Sequence, residues 1–280
     1  MKRTVVVLRP AGLSGFLTGI PAYRAIARAF PHHRVLLAAP RALQPLAHFC
    51  EAIDDVVDTH PNEPLDTRLQ GADLAVDLQG KGPQSQRVLL ESRPWELFAF
   101  AHADVPESAG GPRWDENECE IARWCRMLRW FGIAESENDV ELDVPGDARF
   151  AGSVVVHPGA AGESRRRPLA HWVATIVELR KRGMRVVLTG SSDERERCLQ
   201  IAQAAGVPRE RVLAGELHLG QFASTVASAS AVICDGAGIA RLATATGTPS
   251  VDVHLRAIAV DDFVLEFDAL FEGRVITGTG

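Results

Sequence analysis

Four glycine-bearing stretches hold the residues best suited to chemistry, and each lies between an apolar run and a segment of helical spacing. In VVVHPGAAGESRRRPLAHW the apolar run ends at His157, Gly159 and Gly162 loosen the turn, and Arg165, Arg166 and Arg167 stand just before a helix that Pro168 opens. Guanidinium charge and a helix dipole converge there on an entering phosphate. The competing reading is a surface charge run, because Lys2, Lys81 and Lys181 are the only lysines among 30 lysines and arginines. AVICDGAGIARLATATGTPSV gives an apolar run, then Asp235, Gly236, Ala237 and Gly238, then a helix opening near Ile239. Bare backbone N–H groups at such a start suit a diphosphate. Arg241 is expected in the first turn, where a cation opposes the helix dipole and makes most sense beside a bound anion.

VVLTGSSDERE places Gly190 at the end of an apolar run, with Ser191 and Glu194 in the S-x-x-E spacing of a capping box. That structural account suffices by itself, although a carboxylate at a strand's end also suits ribose hydroxyls. The fourth stretch, RPAGLSGFLTGIP, reads as a loop holding Arg9, Gly12, Ser14 and Gly15 with no acid, base or metal ligand of its own. Its G-x-x-G spacing departs from G-x-G-x-x-G, and no acidic residue closes the next strand, so spacing gives no dinucleotide site.

The elements that must position these stretches alternate throughout. Strands are expected at 5–8, 34–38, 55–58, 72–78 and 97–100, with helices at 17–30, 42–50, 83–91 and 116–131. Residues 132–152 carry six acidic residues, three glycines and one proline, the composition of a solvated linker. Beyond it, strands at 153–157, 185–189, 211–213, 231–234 and 250–253 alternate with helices at 169–182, 193–205, 219–229 and 239–246. The expectation is an α/β chain with two Rossmann-like domains facing a cleft, 1–132 and 153–280, joined by the linker 133–152. Open α/β sheets bind ligands beyond the carboxyl ends of their strands.

Composition limits the function. In 280 residues with net charge −6, nothing supplies the basic footprint of a nucleic-acid binder. Five cysteines without a C-x-x-C pair suit buried free thiols rather than a metal or disulfide framework. The opening MKRTVVVLRP turns polar too soon for a signal peptide, and no run of 18 apolar residues occurs, so a cytoplasmic or membrane-peripheral location is expected.

Read together, VVVLRPAGLSGFLTGIPAYRAIARAFP, DLAVDLQGKGPQSQR, HPGA, RRRP, VVLTGSSDERE, LAGELHLGQFASTVASASAVI and GIARLATATGTPSV resemble the ADP-heptose:lipopolysaccharide heptosyltransferase family, glycosyltransferase family nine. The resemblance runs from about Val5 to Val251. It implies the GT-B fold, no metal and no cofactor. The implied activity is inverting transfer of a heptose-like sugar from a nucleotide diphosphate to a glycan or lipid-linked glycan acceptor. By position, Arg165 replaces a lysine on the donor phosphates and Glu194 a glutamate on the ribose. Gly236, Ala237, Gly238 and Arg241 replace the diphosphate loop Asp-Thr-Gly-x-x-His, with Asp235 one residue early. His157, Gly159, Arg166 and Gly190 complete the implied donor site. Arg9, Gly12, Ser14 and Gly15 form the implied acceptor-side loop.

The departures are specific. Where the family reads Gly-x-Gly-Asp and the aspartate is the base, this chain has Ser14 and Gly15, so no catalytic residue is assigned. Arg167 replaces a tryptophan, and the resemblance ends after Val251. Three functions follow: a glycosyltransferase whose activity is limited by Gly15, a catalytically silent nucleotide-sugar binder, and, by analogy of fold alone, another nucleotide-sugar enzyme such as an epimerase.

Overall fold

The computed structural model describes residues 3–159 and 167–253. The chain divides into two compact units, the first running to Asp143 and the second starting at Val144. In unit 1 the elements are β1 (Thr4–Leu8), α1 (Leu13–Ala29), β2 (Arg34–Ala39), α2 (Gln44–Cys50), β3 (Asp55–Asp58), β4 (Leu74–Asp77), α3 (Gln84–Glu91), β5 (Glu96–Phe98) and α4 (Glu120–Trp130). All its strands run parallel in the order β3-β2-β1-β4-β5. Parallel strands are covered on both faces, which is why TVVVL is a continuous apolar run and Val5, Val6 and Val7 are fully buried.

Unit 2 repeats the plan with β6 (Val154–His157), α5 (Leu169–Lys181), β7 (Val186–Leu188), α6 (Arg195–Ala205), α7 (Leu219–Ser228), β8 (Ala231–Cys234), α8 (Ala237–Ala245) and β9 (Ser250–Asp252). Its parallel sheet has the order β7-β6-β8-β9. The strand expected at 211–213 reduces to one bridge, Leu188 to Val212. The Val212 amide is already spent on Arg209 O at 3.0 Å, and Gly215 turns the chain away at φ 73°, so only Leu213 N–H remains to reach Leu188 O, at 2.8 Å.

The acidic stretch is not simply solvated. Asp139 pairs with both Arg24 and Arg28 of α1 at 2.6 Å, Arg24 also donates to Glu141 O at 2.6 Å, and Leu142 is buried. Residues up to Asp143 therefore belong with unit 1. Cys50, Cys125, Cys198 and Cys234 are buried free thiols, and Cys119 is an exposed one. Among the described residues no helix is long and apolar enough to cross a membrane.

The register sets Leu8 beside Asp77, the last residue of β4. Asp77 is fully buried; Ser85 Oγ donates to its Oδ2 at 2.6 Å and Gln79 N–H to its Oδ1 at 2.9 Å. Burial pushes its carboxyl up to about 6, with those hydrogen bonds acting in the opposite direction. The folded chain thus holds this proton more tightly than the unfolded one. The resulting stabilisation is full below about pH 4 and is lost as pH rises through about 6. In Asp77→Asn the amide oxygen still accepts from Gln79 and the Ser85 hydroxyl turns to accept. The expected outcome is a Tm difference, variant minus wild type, that grows in the variant's favour between pH 4.5 and pH 7 in thermal melts.

Candidate functional site

The carboxyl edge of the unit 2 sheet gathers residues that the sequence presents in separate motifs. His157 ends β6 and Thr189 follows β7, with Nδ1 and Oγ1 3.0 Å apart. The His157 ring packs 5.7 Å from that of Phe222, between centroids. Burial lowers the imidazole pKa, and the charge of Glu194 offsets only part of that, so His157 is neutral at pH 7. Ser191 N–H and Oγ–H both donate to Glu194 Oε2, at 2.7 and 3.0 Å, as the S-x-x-E spacing predicts.

The remaining Glu194 oxygen shows why one of the glycines is there. A Cβ on Gly159 would lie 2.1 Å from Oε1, and one on Gly190 would lie 3.1 Å from Oε2. A side chain at Gly159 would displace the carboxylate, whereas one at Gly190 would ask it to give by only a few tenths of an ångström, so Gly159 is the glycine that makes its seat. Beside it opens a cavity of about 240 Å³, with His157, Thr189, Gly190 and Ser191 on one side and Leu213, Leu217, Leu219 and Phe222 on the other. The apolar wall and Thr189 lie in two of the stretches that carry the resemblance, but none of them was singled out as a site residue. His218 caps the helix that carries Phe222, its Nδ1 accepting from Gln221 N–H at 3.3 Å.

The loop after β8 joins the same edge. Asp235 is buried, and its N–H donates to His157 O at 3.3 Å. Gly236 approaches Gly159 closely enough that a Cβ would sit 3.7 Å from the Gly159 carbonyl, an ordinary contact. Its backbone is extended, and as the N-cap of the helix that follows it has no side chain to offer as a cap. That helix, α8, opens at Ala237 and Gly238, two residues earlier than expected. Arg241 is consequently its fifth residue, exposed and past the first turn, where the dipole argument loses most of its force. Arg165 and Arg166 fall within 160–166, outside the described residues. The third arginine of that run is structural: Arg167 Nη2 donates to Val253 O, and Arg167 O accepts from Arg197 Nη2.

In unit 1 the expected loop is largely helix. Gly12 is the extended N-cap, Phe16 N–H donates to Gly12 O at 3.0 Å, and Ser14 and Gly15 lie in the first turn of α1. Arg9 is only 3% exposed and spends its donors inward. It donates to Gly15 O at 3.1 Å, Leu78 O at 2.6 Å, Thr18 Oγ1 at 3.1 Å and Glu120 Oε1 at 3.1 Å. Its guanidinium also lies 5.0 Å from the centroid of the Trp124 ring. Thr18 Oγ1 stands 2.9 Å from both Gly15 O and Glu120 Oε2. Arg9 is therefore an anchor between β1, α1 and α4, not a loop side chain. Glu120 was missed because 111 residues separate it from Arg9 and it sits in no motif, whereas Thr18 lies inside RPAGLSGFLTGIP without being singled out. A Cβ on Gly15 would meet Ala11 Cβ at 2.4 Å and Arg9 Nη2 at 3.2 Å.

Comparison with known proteins comes to bear on these two edges. The model of glycosyltransferase family 9 (heptosyltransferase) matches residues 129–255. Most of the matched span lies in unit 2. No curated protein matches the chain. Among solved structures, E. coli ADP-heptose lps heptosyltransferase II is 19% identical, with TM-score 0.76 over 96% of this chain and 99% of that one. The E. coli heptosyltransferase WaaC with ADP is 15% identical, with TM-score 0.74 over 98% and 99%. A family 9 glycosyl transferase from Veillonella parvula DSM 2008 is 15% identical, with TM-score 0.76 over 90% and 81%. At these identities the likeness is one of fold, and the fold is GT-B.

Three substitutions test the glycine geometry. Gly15→Asp installs a side chain against the fixed Ala11 Cβ and is expected to cost about 1–3 kcal/mol, read as a lower Tm. Ala11→Gly in the same chain should recover part of that loss. Gly159→Ala should displace the Glu194 side chain, visible as a changed Glu194 rotamer in a crystal structure.

Proposed function

We propose that this chain is a family 9 glycosyltransferase whose unit 2 binds the nucleotide diphosphate of an ADP-heptose-type donor. The acceptor is a glycan or lipid-linked glycan, and the transfer inverts the anomeric centre. One observation carries the reading: a glutamate given room by a glycine just past β6, beside a half-apolar cavity and a helix whose N-cap is a glycine. These lie at the carboxyl ends of β6, β7 and β8, and the chain reverses its direction of sheet growth between β6 and β8, where open α/β sheets bind ligands. In this reading the base enters the cavity against Phe222 and the leucines. Glu194 Oε1 takes the ribose hydroxyls. The N–H groups of Ala237 and Gly238 receive the diphosphate, with Arg165, Arg166 and Arg241 supplying charge.

The leaving side is thus furnished, whereas the incoming hydroxyl needs a proton acceptor. Asp77 is enclosed, with hydrogen bonds to both oxygens. The carboxylate linked to Gly15 O through Thr18 Oγ1 and Arg9 is Glu120, whose side chain is 38% exposed. We assign it the acceptor role. A second reading, nucleotide-sugar binding without transfer, is favoured by Gly15 itself, since Ala11 and Arg9 occupy the space a side chain there would need.

Calorimetry with ADP tests the donor site. Binding is expected at low salt, weaker as NaCl rises, and several-fold weaker in Arg241→Ala; no binding at any salt refutes the reading. ADP release from ADP-heptose, with water or sugar acceptors, separates the two readings. Transfer predicts a measurable rate that falls about 10²–10⁴-fold in Glu120→Gln with ADP affinity kept. Binding alone predicts tight ADP and no release.

A further inference from the structure

A second cavity, of about 210 Å³, opens in unit 2 at the other end of the strands. Val186, the first residue of β7, forms its floor with Met184, Val207 and Pro208. Arg180, Arg185 and Arg211 form its rim. Arg180 is held in place: its Nη1 donates to Ala205 O at 2.6 Å. The same nitrogen occupies space that a Cβ on Gly206 would invade, at 2.6 Å. Arg185 Nη2 is tied to Ala151 O. Arg211 is different, because its Nη1 is buried and has no hydrogen-bond partner among the described residues. Among the described residues no carboxylate pairs with any of the three guanidinium groups.

A buried charged donor without an acceptor is costly, and an anion removes that cost. The geometry points to a binding site in this cavity for a small organic anion, a carboxylate carried on a compact apolar body. The carboxylate accepts from Arg211 Nη1 and draws on the charge of Arg180 and Arg185, and the apolar part covers Met184, Val186 and Val207. Inorganic phosphate satisfies the charge but leaves that floor wet, so affinity should follow the apolar body as well as the charge. The site is independent of the nucleotide reading, since it uses none of the same residues.

The test titrates benzoate, butyrate and inorganic phosphate into the full-length chain, by calorimetry and by saturation-transfer NMR, with and without saturating ADP. Expected are one-to-one benzoate binding unchanged by ADP, weaker butyrate and weaker phosphate. Arg211→Met, which keeps the apolar stem and removes the stranded charge, should weaken benzoate at least tenfold without lowering the Tm of the ligand-free chain or changing the response to ADP. Should that variant fold poorly, Arg185→Met on the exposed rim should weaken benzoate by a smaller factor. Benzoate displaced by ADP, benzoate bound equally by the variants, or phosphate bound as tightly as benzoate would each overturn the proposal.

Discussion

A strand buried on both faces has no room for chemistry except at its ends. Val5–Val7 and Val154–Val156 are fully enclosed by the helices packed on their sheets, so every polar group of consequence is forced to the strand termini. His157, Thr189, Asp235, Arg9 and Asp77 all occupy those last positions or the residue just beyond. What each unit can do is decided by what fills the few ångströms above its carboxyl edge.

The two units fill that space in opposite ways. In unit 1 the gap between the ends of β1 and β4 is plugged by the Arg9 guanidinium, which donates to Leu78 O and pairs with Glu120, while Asp77 closes the floor. Buried charge of this kind is tolerable only with its partners present, and removing one leaves the other stranded. In unit 2 the ends of β6 and β8 are followed by Gly159 and Gly236, and the Glu194 carboxylate takes the space that a Gly159 side chain would need. One edge is filled by a guanidinium; at the other a glycine makes room for a carboxylate.

Much of this was readable in the sequence, for physical reasons that differ by element. Strand and helix positions followed from apolar runs and helical spacing, and the capping box at Ser191 and Glu194 appeared as its spacing required. Helix starts were misjudged where glycine precedes them: α1 opens at Leu13 and α8 at Ala237, because Gly12 and Gly236 supply an extended residue that no side-chain preference announces. The role of Arg9 was hidden because its partner Glu120 is brought to it by the packing of α4 on α1, a tertiary event without a local signature. The apolar wall made by Leu213, Leu217 and Phe222 lies in a stretch that resembles the family, but only the fold brings it beside His157 and Gly190.

The distribution of thiols has a practical consequence. Four of the five cysteines are enclosed, and burial raises the pKa of each of them, so in the native protein they are poor nucleophiles. Cys119 alone faces solvent, as the N-cap of α4 and the neighbour of Glu120. A maleimide dye added to the untouched wild-type chain therefore labels a single point, one peptide bond from the Arg9 cluster, without any cysteine having to be engineered in or out.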